Sequence, residues 1–208
     1  MEDVLEVYTR PDDPQYPLVC MDETSKQLLA DTREPIQAQP GQPQRVDYEY
    51  KREGVADLFM FFEPLTGKRL VKVTDQRTRK DWAIAMQELA NRRYPLAKKI
   101  VIVMDNLNTH TPASFYETFE PQEARRLTER FESHYTPKHG SWLNMAEIEL
   151  GVLIRQCLSR RILDKTTLQK EVKAWQMDRN AKVVKVDWRF TTADTRIKLK
   201  HLYPVIHV

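Results

Sequence analysis

With 208 residues, 41% hydrophobic and 30% charged, and a formal net charge of +3, the chain can bury one sizeable core and remain soluble. No stretch approaches the roughly 18 to 20 apolar residues that cross a bilayer. Met1-Glu-Asp-Val-Leu5 lacks the basic and apolar regions of a signal peptide, and Cys20 and Cys157 lie in unrelated apolar settings. A cytoplasmic protein with no membrane partner and no disulfide framework is expected.

Residues 1–16 are polar, contain Pro11, Pro14 and adjacent acids, and read as an irregular leader or linker. Leu18-Val-Cys-Met-Asp22 closes a first buried strand over 17–22. Residues 31–54 form a Pro/Gln-rich insertion, loop by composition, in which Arg45-Val-Asp-Tyr-Glu-Tyr50 could add a short edge strand. Val55 to Phe62 and Lys68 to Thr74 read as two strands of a hairpin turning at Glu63-Pro-Leu-Thr-Gly67. Thr78 to Arg93 is a helical pattern with Trp82, Ala85, Met86 and Leu89 on one side. Lys99 to Met104 is a strand, Pro112 to Arg130 is helical, and Phe131 to Tyr135 is a short strand. After the loop Thr136-Pro-Lys-His-Gly140, a helix with Ser141 as its N-cap runs to about Leu158, and another runs from Lys165 to about Arg179. Residues 181–193 are irregular or strand-like, and Asp194 to His201 is a final helical turn or two. A hairpin followed by alternating helices and strands implies an α/β fold, a mixed sheet flanked by helices, in the succession of the ribonuclease H-like fold.

Charge is distributed unevenly. Residues 1–50 carry 4 Lys/Arg against 11 Asp/Glu, whereas residues 151–208 carry 13 against 5. The basic helices of 159–208 point either to a polyanion such as nucleic acid or to a solvated helical surface.

Three carboxylates end or border apolar runs. Asp22 alone reads as a strand-end acid capping the next turn. Asp105 ends the strand Ile100-Val-Ile-Val-Met and is followed by Asn106-Leu-Asn-Thr-His110, which gathers polar groups at one sheet edge. On the helix starting at 141, Leu143, Ala146, Leu150, Leu153, Ile154 and Cys157 form one apolar arc, with Glu147 at its border. A carboxylate there needs a metal or a cationic partner, and Arg155 two turns on is a candidate for the second. Glu149 points well away from Glu147 and reads as solvated. Two aspartates and a glutamate suit Mg²⁺ or Mn²⁺, and two such ions about 3.5–4 Å apart could act on a phosphodiester. His110, His134 and His139 lack zinc-ligand spacing, and no phosphate loop or serine-hydrolase elbow is present.

Val103-Met-Asp105-Asn-Leu-Asn-Thr-His110 and Tyr135-Thr-Pro-Lys-His-Gly-Ser-Trp-Leu-Asn-Met-Ala-Glu147 resemble the signatures of bacterial insertion-sequence transposases of the mariner superfamily. The family pattern is a strand ending Asp-Asn-x-x-x-His, then Tyr-Ser/Thr-Pro, then Leu-Asn-x-x-Glu, and all three blocks occur in order. The stretch from Trp188 to Lys200 also resembles the family's tail. The resemblance covers about residues 17 to 204 and implies a ribonuclease H-like DDE catalytic domain there. Asp22, Asp105 and Glu147 would be the catalytic and metal-binding triad for two Mg²⁺ or Mn²⁺ ions, with Asn106, His110 and His139 nearby. It implies DNA as partner, both transposon ends and target, and a homodimer. Lys138, Trp142, Asn144, Arg155, Arg160 and Arg161 are the candidate DNA contacts. For Trp142 a core aromatic at a helix start is the alternative, and for the arginines a solvated face.

The chain departs from the family in two ways. Forty-one residues separate Asp105 from Glu147, where the mid-thirties are usual, and the extra length is expected within Phe115 to Arg130. Family members generally begin with helix-turn-helix domains, and the sixteen polar residues before the first strand are too few for one. A separate helix-turn-helix polypeptide is one way in which the ends could be recognised. Two rivals stay open: a catalytically idle DNA-binding or regulatory fragment, and another two-metal nuclease on the same fold.

Overall fold

A computed structural model describes residues 1–138 and 140–203. A short helix α1 (Glu2–Tyr8) precedes three strands, β1 (Leu18–Asp31), β2 (Tyr50–Glu63) and β3 (Lys68–Thr74). Helix α2 (Arg79–Glu88) continues as a π-helical turn over Leu89–Arg93 into β4 (Ile100–Met104). Helices α3 (Pro112–Thr118) and α4 (Pro121–Arg130) lead to β5 (Phe131–Tyr135). A 3₁₀ turn (Ser141–Leu143) then opens α5 (Met145–Leu153), which ends in a π-helical turn over Ile154–Leu158. Helices α6 (Lys165–Ala181) and α7 (Thr192–Lys198) follow, with a last 3₁₀ turn over Lys200–Leu202.

The five strands form one sheet in the order β3-β2-β1-β4-β5. β3, β2 and β1 are antiparallel, whereas β4 and β5 run parallel to β1. This is the ribonuclease H-like mixed sheet. Side chains alternate across it with the period of two that a strand imposes. Cys20, Leu58, Met60, Phe62, Val101 and Val103 pack under α1, α5 and α6. Val19, Met21, Phe59, Phe61, Ile102 and Met104 pack under α2, α3 and α4. Covered on both faces, β4 is buried at all five residues, which is why it reads as an unbroken apolar run.

Four expectations change. The first strand does not end at Asp22 but continues to Asp31, paired with β2 as a two-stranded arm past the edge of β4. Polar residues on both faces of that arm give it no apolar signature. A register shift between Leu28 and Leu29 lies opposite Gly54, whose φ of +123° few other residues would adopt. Second, residues 2–8 are helical: Val4, Leu5, Val7 and Tyr8 are buried, and the Tyr8 hydroxyl donates to the Leu143 carbonyl at 2.6 Å. Seven residues are too few to display a helical period. Third, 45–49 adds no edge strand; Arg45 only bridges Ile36, and Tyr50 begins β2. Fourth, α5 is capped by Asn144 rather than Ser141, because the 3₁₀ turn intervenes.

Candidate metal centre

The register of the parallel pair β1/β4 builds the site. Cys20 is matched with Val103, the last pair before the two strands part. Asp22 and Asp105 each stand two residues further on, so they emerge side by side where the sheet opens, on the face that α5 covers. Glu147 comes from the first turn of α5. That turn is tied to β1 by one side chain: Asn144 Oδ1 accepts from the Ala146 N–H at 3.1 Å, while its Nδ2 donates to the Met21 carbonyl at 2.8 Å. Asp22, Asp105 and Glu147 thereby line one cavity, together with Glu23, Thr136 and Gly151.

The cavity is electrostatically one-sided. Among the described residues no Lys or Arg lies within ion-pair distance of Asp22, Asp105, Glu147 or Glu23; His110 alone meets two of them. Burial pushes the Asp22 carboxyl up to about 7; the Glu23 N–H, donating to Oδ1 at 2.8 Å, partly opposes this, and the charges of Glu23, Asp105 and Glu147 add to it. His110 is fully buried, with Nδ1 2.5 Å from Asp105 Oδ1 and Nε2 3.2 Å from Glu23 Oε2. Burial lowers its pKa, but the two carboxylates outweigh that and hold it at about 9. Asp105 Oδ1 is buried with no well-directed hydrogen bond of its own. A set of converging carboxylate oxygens, none neutralised by Lys or Arg among the described residues, is a donor set suited to hard divalent cations. Glu23, Asp105 and His110 also place ligand atoms within 4.8 Å of one another. Each nitrogen of His110 already faces a carboxylate, at 2.5 and 3.2 Å.

The remaining expected site residues divide. Lys138 and Asn106 are exposed and line a neighbouring hollow at the mouth, beside Asp105 and Thr136. Arg155 is exposed and makes no ion pair among the described residues; its guanidinium lies over Gly151, with Nη1 3.3 Å from where a Cβ there would sit. It does not pair with Glu147. Trp142 is 39% exposed, stacked on Trp188 at 6.3 Å and edge-on to Phe190 at 5.6 Å. Arg160 pairs with Glu171, and Arg161 binds Asp31 and the carbonyls of Asp47 and Glu49, stapling the 32–49 loop to the arm. Asn144 is buried with its amide committed within the protein, so it joins α5 to β1 instead of offering itself to DNA. His139 lies outside the described residues.

Glu149 corrects an expectation outright. It is 3% exposed, clamped by Arg69 and Arg179, each 2.9 Å from its Oε1. The angle away from Glu147 is as expected from the helix. What lies in that direction is α6 and the edge strand β3, whose packing α5's own sequence cannot show. Glu23, too, goes unsingled by sequence reasoning; its adjacency to Asp22 was the one available signal.

A family model described as DDE superfamily endonuclease matches residues 17–169. Several solved structures share the fold. The Mos1 transposase paired-end complex with left transposon end superposes with a TM-score of 0.56 at 15% identity, over 85% of this chain and 53% of that one. The Mos1 strand transfer complex gives 0.56 at 14% identity, over 86% and 55%. The Mos1 mariner paired end complex with Mn gives 0.51 at 14%, over 86% and 56%. The chain thus spans a little over half the length of these relatives. No curated protein matches it.

Proposed function

The chain belongs to the DDE superfamily endonucleases, and on that premise we propose that it is a transposase catalytic domain that cuts DNA at insertion-sequence ends and joins the freed end to target DNA. The observation that carries this reading is the parallel register that sets Asp22 beside Asp105 and opposite Glu147, in one pocket where no Lys or Arg among the described residues pairs with them. These three side chains would hold two Mg²⁺ or Mn²⁺ ions. Bound there, divalent ions supply Lewis acidity at the phosphodiester and make a water or hydroxyl a competent nucleophile near neutral pH. Hydrolysis at the transposon end would release a 3′-hydroxyl, and attack of that hydroxyl on a target phosphodiester would complete the transfer.

The chain's own residues supply the rest. Lys138, beside Asp105 in the neighbouring hollow, and Arg155, over the pocket-lining Gly151, have no carboxylate partner among the described residues and would neutralise phosphates of the bound DNA. Trp142, backed by Trp188 and Phe190, offers a partly exposed indole on which an unpaired base could stack. The Mos1 neighbours are paired-end and strand-transfer complexes, one of them with Mn, which supports DNA ends as substrate here. A homodimer, with a helix-turn-helix polypeptide recognising the ends, is part of the same proposal.

The test is Mn²⁺ and Mg²⁺ calorimetry on the wild type and Asp105→Ala, alongside nicking of a DNA duplex. Carboxylate-dependent metal binding that disappears in the variant, with metal-dependent nicking by the wild type, is expected. Indistinguishable isotherms would sink the metal site. DNA binding without metal-dependent nicking would favour a regulatory fragment, and cleavage of branched DNA without joining would favour a different nuclease.

A further inference from the structure

We infer that Glu23 and His110 are positioning residues that hold Asp105 in its metal-binding rotamer, an inference that rests on the reading of Asp22, Asp105 and Glu147 as metal ligands. Asp105 lies one residue past the end of β4, where its carboxylate would otherwise turn freely and lose that freedom on binding an ion. His110 crowds that carboxylate, with Nδ1 2.5 Å from Asp105 Oδ1 and 3.3 Å from the Asp105 backbone carbonyl. The imidazole is itself immobile. Its backbone N–H donates to the Leu107 carbonyl at 3.0 Å, its carbonyl accepts from the Tyr135 hydroxyl at 2.9 Å, and its ring stacks on Trp82 at 5.7 Å. Glu23 faces the ring from the other side, its Oε2 at ion-pair distance, 3.2 Å, from Nε2.

Glu23 has no other evident reason to be where it is. Its side chain is 3% exposed, and no Lys or Arg among the described residues pairs with it. A buried, unpaired carboxylate is costly, and its position one residue after Asp22 sends it to the alternate face of β1, where His110 waits. The order from the pocket inward is therefore Asp105, His110, Glu23. Groups that orient metal ligands in this way are worth about 10- to 100-fold in metal affinity elsewhere.

The experiment is Mn²⁺ calorimetry and electron paramagnetic resonance on the full chain, comparing wild type, His110→Asn, His110→Gln, Glu23→Ala and Asp105→Ala, with circular dichroism to check folding. The amide nitrogen of Asn falls near Nδ1 and can still face Asp105, whereas that of Gln falls near Nε2 and cannot. We expect His110→Gln and Glu23→Ala each to weaken Mn²⁺ binding about 10-fold or more, and His110→Asn, which keeps the Asp105 contact but loses the one to Glu23, to weaken it no further than Glu23→Ala does, a pattern that a role in stability alone would not produce. Wild-type affinity in His110→Gln and Glu23→Ala would overturn the inference while leaving the metal site standing. So would complete loss in Glu23→Ala to match Asp105→Ala, or nitrogen hyperfine coupling on wild-type Mn²⁺, since each would make Glu23 or His110 a ligand. Should the His110 variants fail to fold, Glu23→Ala decides alone. A wild type that binds no Mn²⁺ would remove the site itself, and the inference with it.

Discussion

Asn144→Ala separates a residue that builds the site from one that touches DNA. The substitution removes two hydrogen bonds. Loss of the acceptor for the Ala146 N–H strips α5 of its N-cap, worth about 0.5–2 kcal/mol. Loss of the donor to the Met21 carbonyl deprives a buried acceptor, at a cost of about 1–3 kcal/mol. Together these predict a destabilisation of about 1.5–5 kcal/mol, which for a chain of this size lowers the melting temperature by roughly 3–20 °C. Urea denaturation should show a lower midpoint with an unchanged slope. Because the cap lies three residues before Glu147, Mn²⁺ affinity should fall as well. Asn144→Asp, which keeps the cap acceptor but not the donor, should recover part of the stability. Unchanged stability combined with weakened DNA binding would refute this reasoning and return Asn144 to the DNA-contacting set.

Other variants probe the frame and the mouth of the pocket. Glu149→Gln leaves Arg69 and Arg179 facing each other in a buried site, and denaturation should report a loss of about 3–5 kcal/mol. Arg155→Gln should lower DNA affinity and reduce the slope of log affinity against log salt by about one. Gly151→Ala, which crowds the Arg155 guanidinium without removing its charge, should weaken DNA binding in the same direction while raising helix stability by up to about 1 kcal/mol. Gly67→Ala should destabilise clearly, since its φ is +68° and a Cβ would come within 2.9 Å of the backbone of Val183 and Val184. Burial pushes the Cys20 thiol up to about 12, so thiol reagents at neutral pH should reach it at the rate of unfolding; rapid native-state modification would contradict the packing.

Much of this protein was written locally. β4 is legible because a strand covered on both faces must be apolar throughout, and Asp105 because it stops that run. α2 was legible through its one-sided Trp82, Ala85 and Met86, and α5 through the angular position that places Glu147 at the border of an apolar arc. These signals depend on the period of one element against one environment, so a single stretch of sequence carries them.

Tertiary structure decided whatever depends on a second element. The apolar run of β1 stops at Asp22; only the pairing with β2 shows that the strand runs on to Asp31, and only the register with β4 makes Asp22 the neighbour of Asp105. Glu149 pointed away from Glu147 as helical geometry requires, but whether water or two arginines lay there was set by α6 and β3. Of the expected DNA contacts, Asn144 is buried with its amide engaged within the protein, and Arg161 is held at the surface by Asp31 and backbone carbonyls. Glu23 and His110 stand 87 positions apart in a sequence that does not mark them as partners, and lie 3.2 Å apart in space. Hydrophobic period and turn chemistry act over a few residues, whereas the meeting of four carboxylates is fixed by strand register and helix packing across the whole fold.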